Sequence, residues 1–393
     1  MSRWRGAALA ATAGAAAVAG ARVGGRRIVA RTERRLNPTA FTPPYYASER
    51  ARALHERLLV ADLHADSLLW GRDLLVRAER GHVDVPRLIE GNVALQVLAA
   101  STKSPRHLNI ERNDDRTDDI VLLAIAEGWP PATWRSLLAR ALHFAARADA
   151  MARRSGGRFT VIRSRADLEA HLAVRSPSWP VTASVLAIEG AHALDDDPAN
   201  VEVVADAGYR MMSPSHFFDN AFGGSAHGVA KGGLTPVGRE MVERMEARSM
   251  LVDVAHASAT TIEDVLAMSK RPVVASHTGV RGVADNARNL SDEHLRGIAG
   301  SGGVIGIGFW PTACGGGDAA AIARSIGYAI DIAGVDHVAL GSDFDGGVQT
   351  PFDASGMSQL TDALLDASLD EAAIEKVMGG NVFRLLAETL PAT

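Results

Sequence analysis

The sequence predicts an α/β protein built as a closed (β/α)8 barrel of the TIM type, with extra helices inserted after its second strand. Three observations predict it. From about residue 47 onward, short apolar and often β-branched runs alternate with helical patterns, the order expected of a parallel sheet. There are eight such runs, the number that closes this kind of barrel. No glycine-rich fingerprint follows the first run, which removes the commonest reason to choose an open nucleotide-binding sheet instead.

Residues 1–45 stand apart as a leader and linker, before a single domain at 46–393. MSRWRGAALAATAGAAAVAGA carries Arg3 and Arg5 and then a soft Ala/Gly stretch to about residue 21. That pattern resembles a signal peptide or weak anchor, although it is short and poor in Leu and Ile for a spanning helix. Arg22, Arg26, Arg27, Arg31, Arg34 and Arg35 follow. With the basic excess on that side, an uncleaved anchor would leave the rest of the chain in the cytoplasm. The other reading is an Ala-rich leader with no targeting role. Cytoplasmic, membrane-associated and exported locations all stay open, with weak N-terminal membrane association as one expectation. ERRLNPTAFTPPYY, broken by Pro38, Pro43 and Pro44, reads as the linker.

The eight strands are expected at 58–64, 93–100, 184–189, 209–215, 250–256, 272–277, 303–309 and 337–343. Most are separated by enough chain for a loop and a helix. The long gap from 101 to 183 holds IVLLAIAEG and WRSLLARALHFAARADAMARR, read as the inserted helices. Helix starts agree with the scheme. Thr235-Pro236 before VGREMVERMEAR offers an N-cap followed by proline at the first helical position. Ser291 before DEHLRGIAG offers another, with acids in the first turn.

Composition narrows the function. The chain has 393 residues, 47% of them apolar, enough for a large core, and a formal net charge of −5, which argues against a general nucleic-acid binder. Cys314 is the only cysteine, so an intrachain disulfide and a cysteine-based zinc site are both excluded. The chemistry collects instead at the strand ends. The first strand ends in His64 and Asp66, the third in Glu189, the fifth in His256, the sixth in His277 and the eighth in Asp343, while the fourth leads to His216. Barrel closure brings such ends to one rim, where this fold builds its active sites. A lone His-x-Asp is weak, and His82-Val-Asp84 shows the same spacing after a polar stretch, where it reads as a loop or helix approach. A carboxylate such as Glu189 directly after a buried strand is costly unless paired or metal-bound. His55, His107, His143, His171, His294 and His337 lack the strand-end placement and read as surface or structural, whereas His192 and His227 lie near the rim without an assigned role. Mixed His and carboxylate ligands suit zinc, or manganese, iron or cobalt. Five ligands fit two metals sharing one carboxylate, about 3.5–4 Å apart.

The stretches DLHAD, LAIEGAH, GYRMMSPSHFFDN, GLTPVGREMV, LVDVAHAS, PVVASHTGVRGVADNARNLSDE, HVALGSDFDG and GGNVFRLL run in that order over most of the chain beyond the leader. Together they resemble the membrane dipeptidase (renal dipeptidase) family of zinc peptidases, within the amidohydrolase-like barrels. The resemblance implies a dipeptidase with two Zn2+ per chain (Mn2+, Co2+ or Fe2+ as substitutes), tolerance of a D-residue at the dipeptide C-terminus, and a homodimer. It implies His64 and Asp66 on one metal, His256 and His277 on the other, and Glu189 bridging both. His216 would sit beside the scissile carbonyl, and Arg288 would hold the substrate carboxylate. Asp343 would carry the proton, with Asp345 less suited because it lies on the same strand face but further out. The animal members' cysteines and lipid-anchor signal have no counterpart here, and the tail LLAETLPAT is short and polar.

The expected reaction is attack on a dipeptide carbonyl by a hydroxide bridging two metals, since zinc lowers the pKa of its water to about 7. Two alternatives stand beside it. One is a related barrel metal hydrolase acting on another amide or lactam. The other is a non-catalytic, membrane-tethered binding protein, against which the complete ligand set counts.

Overall fold

A computed structural model describes residues 23–393. Among these, ten strands form one parallel sheet: β1 Val60–Ala65, β2 Val93–Ser101, β3 Phe159–Val161, β4 Thr182–Ser184, β5 Leu186–Glu189, β6 Tyr209–Met212, β7 Leu251–Asp253, β8 Val273–Thr278, β9 Val304–Ile307 and β10 Val338–Leu340. Eight of them close a ring in the order β1-β2-β5-β6-β7-β8-β9-β10, because β1 pairs with both β2 and β10. The structure is therefore the (β/α)8 barrel expected, and each of the eight apolar runs supplies one strand of the ring. β4 and β5 follow one path along β2, interrupted at Val185, and β3 extends the sheet outside the ring on β4. Neither β3 nor β4 stands among the eight runs read from the sequence.

The seam where the ring closes has little backbone pairing. β1 meets β10 at the single register pair Asp62 and Leu340. The Asp62 side chain reinforces it. Its carboxylate accepts from the Ser342 amide at 2.7 Å, the Ser342 hydroxyl at 2.6 Å and the Gln96 side-chain nitrogen at 2.6 Å. Asp62, Gln96 and Ser342 are all buried, so these bonds join β10, β1 and β2 where water cannot compete. Asp62, first of the alternating polar residues after the apolar run, thus holds the barrel shut.

The inserted helices form at Ile120–Glu127 and Leu137–Arg154, and a third, Arg165–Val174, completes the insertion. Thr235 caps Pro236–Ala247 by accepting from the Gly238 amide, and Ser291 caps Asp292–Gly300 by accepting from the His294 amide, as their positions predict. Asp84 caps Val85–Glu90, so His82-Val-Asp84 is a helix approach. His55, His171 and His337 bond to the carbonyls of Gly91, Ala94 and Gly303.

The chain between 23 and 45, expected as leader and linker, packs on the barrel. Residues 23–36 are helical, and Thr39 pairs with Thr350 in a parallel bridge. Glu33 is fully buried between Arg72 and Arg80. The targeting pattern at residues 1–22 lies outside the described residues. Among the described residues no helix is long and apolar enough to cross a membrane.

Candidate metal centre

The side chains expected to act together all reach the rim at the C-terminal ends of the strands. His64 lies in β1, with Asp66 just beyond its end. Glu189 is the last residue of β5. His216 and His256 sit in the loops after β6 and β7, and His277 is within β8. Asp343 and Arg288 occupy the loops after β10 and β8. Parallel strands that share a direction deliver these positions to one end of the barrel, although they span 280 residues of chain.

Glu189 is the centre of the cluster. Its Oε1 lies 3.0 Å from His256 Nε2, 3.4 Å from His277 Nε2 and 3.7 Å from His64 Nε2. Its Oε2 lies 3.3 Å from His216 Nε2. The Nε2 atoms of His256 and His277 are 2.9 Å apart, and His64 Nε2 is 3.4 Å from Asp66 Oδ2. Asp343 joins His64 and Asp66 in a third grouping whose ligand atoms fall within 4.8 Å of one another. All of these groups are buried.

The donor set fits cations. Three carboxylates, those of Asp66, Glu189 and Asp343, crowd one buried space. Burial and then the Asp66 charge hold Glu189 well above the ordinary carboxylate range. Burial pushes Asp343 up to about 7, with Asp66 adding to the rise and His64 opposing it. Burial opposes a charge on His64, yet Glu189, Asp66 and Asp343 push it up to about 10. His216, His256 and His277 are pressed well below the usual imidazole value, mainly by burial. Three of the four imidazoles are thus neutral, the state that binds divalent ions, and a cation would relieve the crowding of the carboxylates. The tautomer of His277 is also right. The Ser276 hydroxyl donates to Asp253 at 2.6 Å and is therefore free to accept from His277 Nδ1 at 2.8 Å, which leaves the Nε2 lone pair facing Glu189. Buried Asp66 Oδ1 and the Nδ1 atoms of His64, His216 and His256 have no partner among the described residues.

Arg288 lies beside the cage. Its Nη2 donates to the His277 carbonyl at 2.5 Å and is 3.3 Å from His256 Nε2. Its guanidinium rests over the Trp310 ring, 5.4 Å from the centroid, a cation–π arrangement. Trp310 was not foreseen, although it lies just beyond β9, after Gly308 and Phe309, and the strand-end rule points to it. His227, unassigned from sequence, lines the same cleft, with Nδ1 bonded to the Ile110 carbonyl at 2.7 Å. The cleft over the cage measures about 750 Å³, and its mouth is walled by Ile28 and Leu36 of the N-terminal helix and by Leu108 and Leu122 of the insertion.

Asp345 corrects its expected place. It is fully buried rather than further out, and its carboxylate turns away from the cage to Arg72 and Ser67. Gly346 explains how the turn passes so close: a Cβ there would collide with the Asp343 carboxylate and press on Asp66.

His192, the other unassigned rim histidine, is buried against Phe218 with neither ring nitrogen partnered among the described residues. Burial, then the nearby Lys103 and Arg140 charges, push it down to about 3. Because the folded value lies below the unfolded value of about 6.5, the neutral ring favours folding above that pH, and the contribution is lost as pH falls. The melting temperature is expected to drop more steeply between about pH 6.5 and 4.5 in wild type than in His192→Leu. Thermal denaturation across that range checks it; parallel slopes would refute it.

Comparison with known proteins adds four results. A family model described as membrane dipeptidase (peptidase family M19) matches residues 48–392. A protein of Klebsiella pneumoniae described as an uncharacterized protein in the pqqA 5' region is 34% identical over 248 residues, 59% of this chain and 89% of its own length. Among solved structures, a metallopeptidase titled dipeptidase AC is 26% identical, covers 86% of this chain and 100% of its own, and superposes with a TM-score of 0.70. A metallopeptidase from Rhodobacter sphaeroides, liganded with a phosphinate mimic of the dipeptide L-Ala-D-Ala, is 25% identical, covers 84% of this chain and 99% of its own, and has a TM-score of 0.67.

Proposed function

The chain belongs to the membrane dipeptidase family of metallopeptidases, and from that premise we propose that it hydrolyses dipeptides, L,D-dipeptides included, with two zinc ions held in the cage around Glu189. The observation that carries this reading is the convergence of His64, His256 and His277 on a single buried carboxylate oxygen. His64 and Asp66 would hold one ion, His256 and His277 the other, and Glu189 would serve both. Ions so held supply a water of lowered pKa, about 7, and polarise the substrate carbonyl. The Rhodobacter relative's complex with a mimic of L-Ala-D-Ala supports the L,D part of the proposal.

The chain's own residues do the rest. Asp343 accepts the proton that the attacking water gives up and delivers it to the departing amine. Buried beside His64 and Asp66, it is placed at the edge of the cage where both transfers would occur. His216, kept neutral by burial, donates from Nε2 to the carbonyl oxygen as negative charge gathers there. Arg288 forks onto the substrate's terminal carboxylate. That grip sets substrate length, because a longer peptide places its carboxylate too far from the bond being cut.

Arg288→Lys is expected to lower kcat/KM for dipeptides about 10- to 100-fold, the worth of one charge-assisted hydrogen bond at about 1.5–3 kcal/mol. Steady-state kinetics check this, and an unchanged kcat/KM would place the carboxylate elsewhere. The reading as a whole is tested by metal analysis of the purified protein with a screen of L,L- and L,D-dipeptides, N-acyl amino acids and lactams. About two ions per chain and cleavage of dipeptides are expected. Cleavage of only the other amides, or of nothing, would overturn it.

A further inference from the structure

Asp343 stands in a backbone conformation that needs support. Asp343 and Asp345 have φ of 61° and 64°, in the left-handed region that residues with a side chain hold only where the surroundings enforce it. The enforcement centres on Asp345. Its Oδ1 accepts from the His82 amide at 2.6 Å, and its Oδ2 accepts from Ser67 Oγ at 2.6 Å and Arg72 Nη2 at 2.5 Å. Its carbonyl accepts from Trp70 Nε1 at 2.8 Å, and its amide donates to His82 Nδ1 at 3.0 Å.

Arg72 carries this network to the N-terminal helix. While Nη2 holds Asp345, Nη1 donates to the Val83 carbonyl at 2.6 Å and Nε donates to Glu33 Oε1. The other oxygen of Glu33 accepts from Arg80 Nε at 2.5 Å. Glu33, Arg72 and Asp345 are all buried, so the guanidinium between the two acids is fixed on both edges. The same stretch of chain reaches the turn a second time: Asn37 Oδ1 accepts from the Gly347 amide at 2.7 Å. The helix is thus tied to the loop that bears Asp343 rather than to the barrel wall alone. With Glu33 gone, Arg72 loses the partner on its Nε edge, and Asp345 loses its fixed anchor.

We propose that Glu33 is a positioning residue for Asp343: acting through Arg72 and Asp345, it holds the left-handed turn that aims the Asp343 carboxylate at the metal cage. The inference rests on the reading of Asp343 as the proton carrier. It also makes the N-terminal helix a working part of the active site.

The test is a four-cornered cycle of the full chain loaded with zinc: wild type, Glu33→Gln, Asp343→Asn and the double variant, with kcat, KM and bound metal measured on one dipeptide. Glu33→Gln should lower kcat about tenfold or more while KM and metal content stay within about twofold. In the Asp343→Asn background the same change should cost nothing further, because the group it positions is already disabled. A helix that merely stabilises the fold would lower melting temperature and leave kcat per folded, metal-loaded molecule alone. Wild-type kcat in Glu33→Gln, or an equal loss in both backgrounds, overturns the proposal. Wild-type turnover in Asp343→Asn overturns the proton-carrier reading and this inference with it. Should Glu33→Gln not fold, Arg80→Gln loosens Glu33 from its partly exposed side, and the same cycle applies with an expected loss of about threefold.

Discussion

Asp343→Asn is expected to lower kcat about 10²- to 10⁴-fold while the bound metal stays unchanged, the usual range for loss of a positioned acid–base group. The asparagine has the same shape and still fits beside Gly346, where no Cβ is accommodated. What it lacks is a site for a proton. The carboxyl it replaces is buried in the cage beside His64 and Asp66, where the proposed mechanism has it take a proton and pass it on. The proposed ligands His64, Asp66, Glu189, His256 and His277 are untouched, and metal retention separates loss of proton transfer from loss of the cage. Kinetics with metal analysis on the same preparation check it, and wild-type turnover with full metal would remove Asp343 from the mechanism.

Glu189→Gln should act on the metals themselves. The carboxylate proposed to serve both ions becomes a neutral amide, a poor ligand for either, and both halves of the proposed cage lose their common member. Turnover is expected to fall to background and bound metal to drop from about two ions to fewer than one per chain. Stability should move in opposite directions with and without zinc. Burial holds the Glu189 carboxyl well above its ordinary value in the folded chain. A raised carboxyl pKa means that folding is favoured by the protonated form, so the metal-free protein loses stability as pH rises through that range. The uncharged glutamine escapes the loss, and at pH 8 metal-free Glu189→Gln should melt above metal-free wild type. Zinc at about a thousand times its dissociation constant should stabilise wild type by ~4 kcal/mol and the variant far less. Thermal melts with and without zinc read both effects. A variant that gains as much as wild type from zinc would show that Glu189 is not the shared ligand.

The ring and its cage were legible in the sequence because both depend on short-range pattern. Strands of the ring are apolar runs, and the residue at the end of a run reaches the rim whatever loop follows. His64, Glu189 and His277 needed no further information. Asp345 shows where the pattern stops. A period of two puts Asp343 and Asp345 on one face, but each has a positive φ, the alternation breaks, and the two carboxylates part. Phe159–Val161 and Thr182–Ser184 are three-residue strands, too short to show a period, and they gain their place by pairing beside β2. The N-terminal helix was hidden for another reason. Its Arg-rich composition reads as the basic flank of a leader, and what seats it is one acid, Glu33, meeting Arg72 and Arg80 about forty residues away. Pairing at that distance leaves no local trace in composition or periodicity.

Trp310 has a use beyond lining the cleft. Its indole lies under the Arg288 guanidinium and 5.9 Å from the His277 ring, so the fluorophore touches both the group assigned to the substrate and a ligand assigned to the metal. A carboxylate that draws Arg288 off the ring, or an ion that takes the imidazole nitrogen, alters the field at the indole. Ultraviolet emission is therefore expected to change when either group is occupied, and because Trp310 is one of six tryptophans, loss of that change in Trp310→Phe would identify its source.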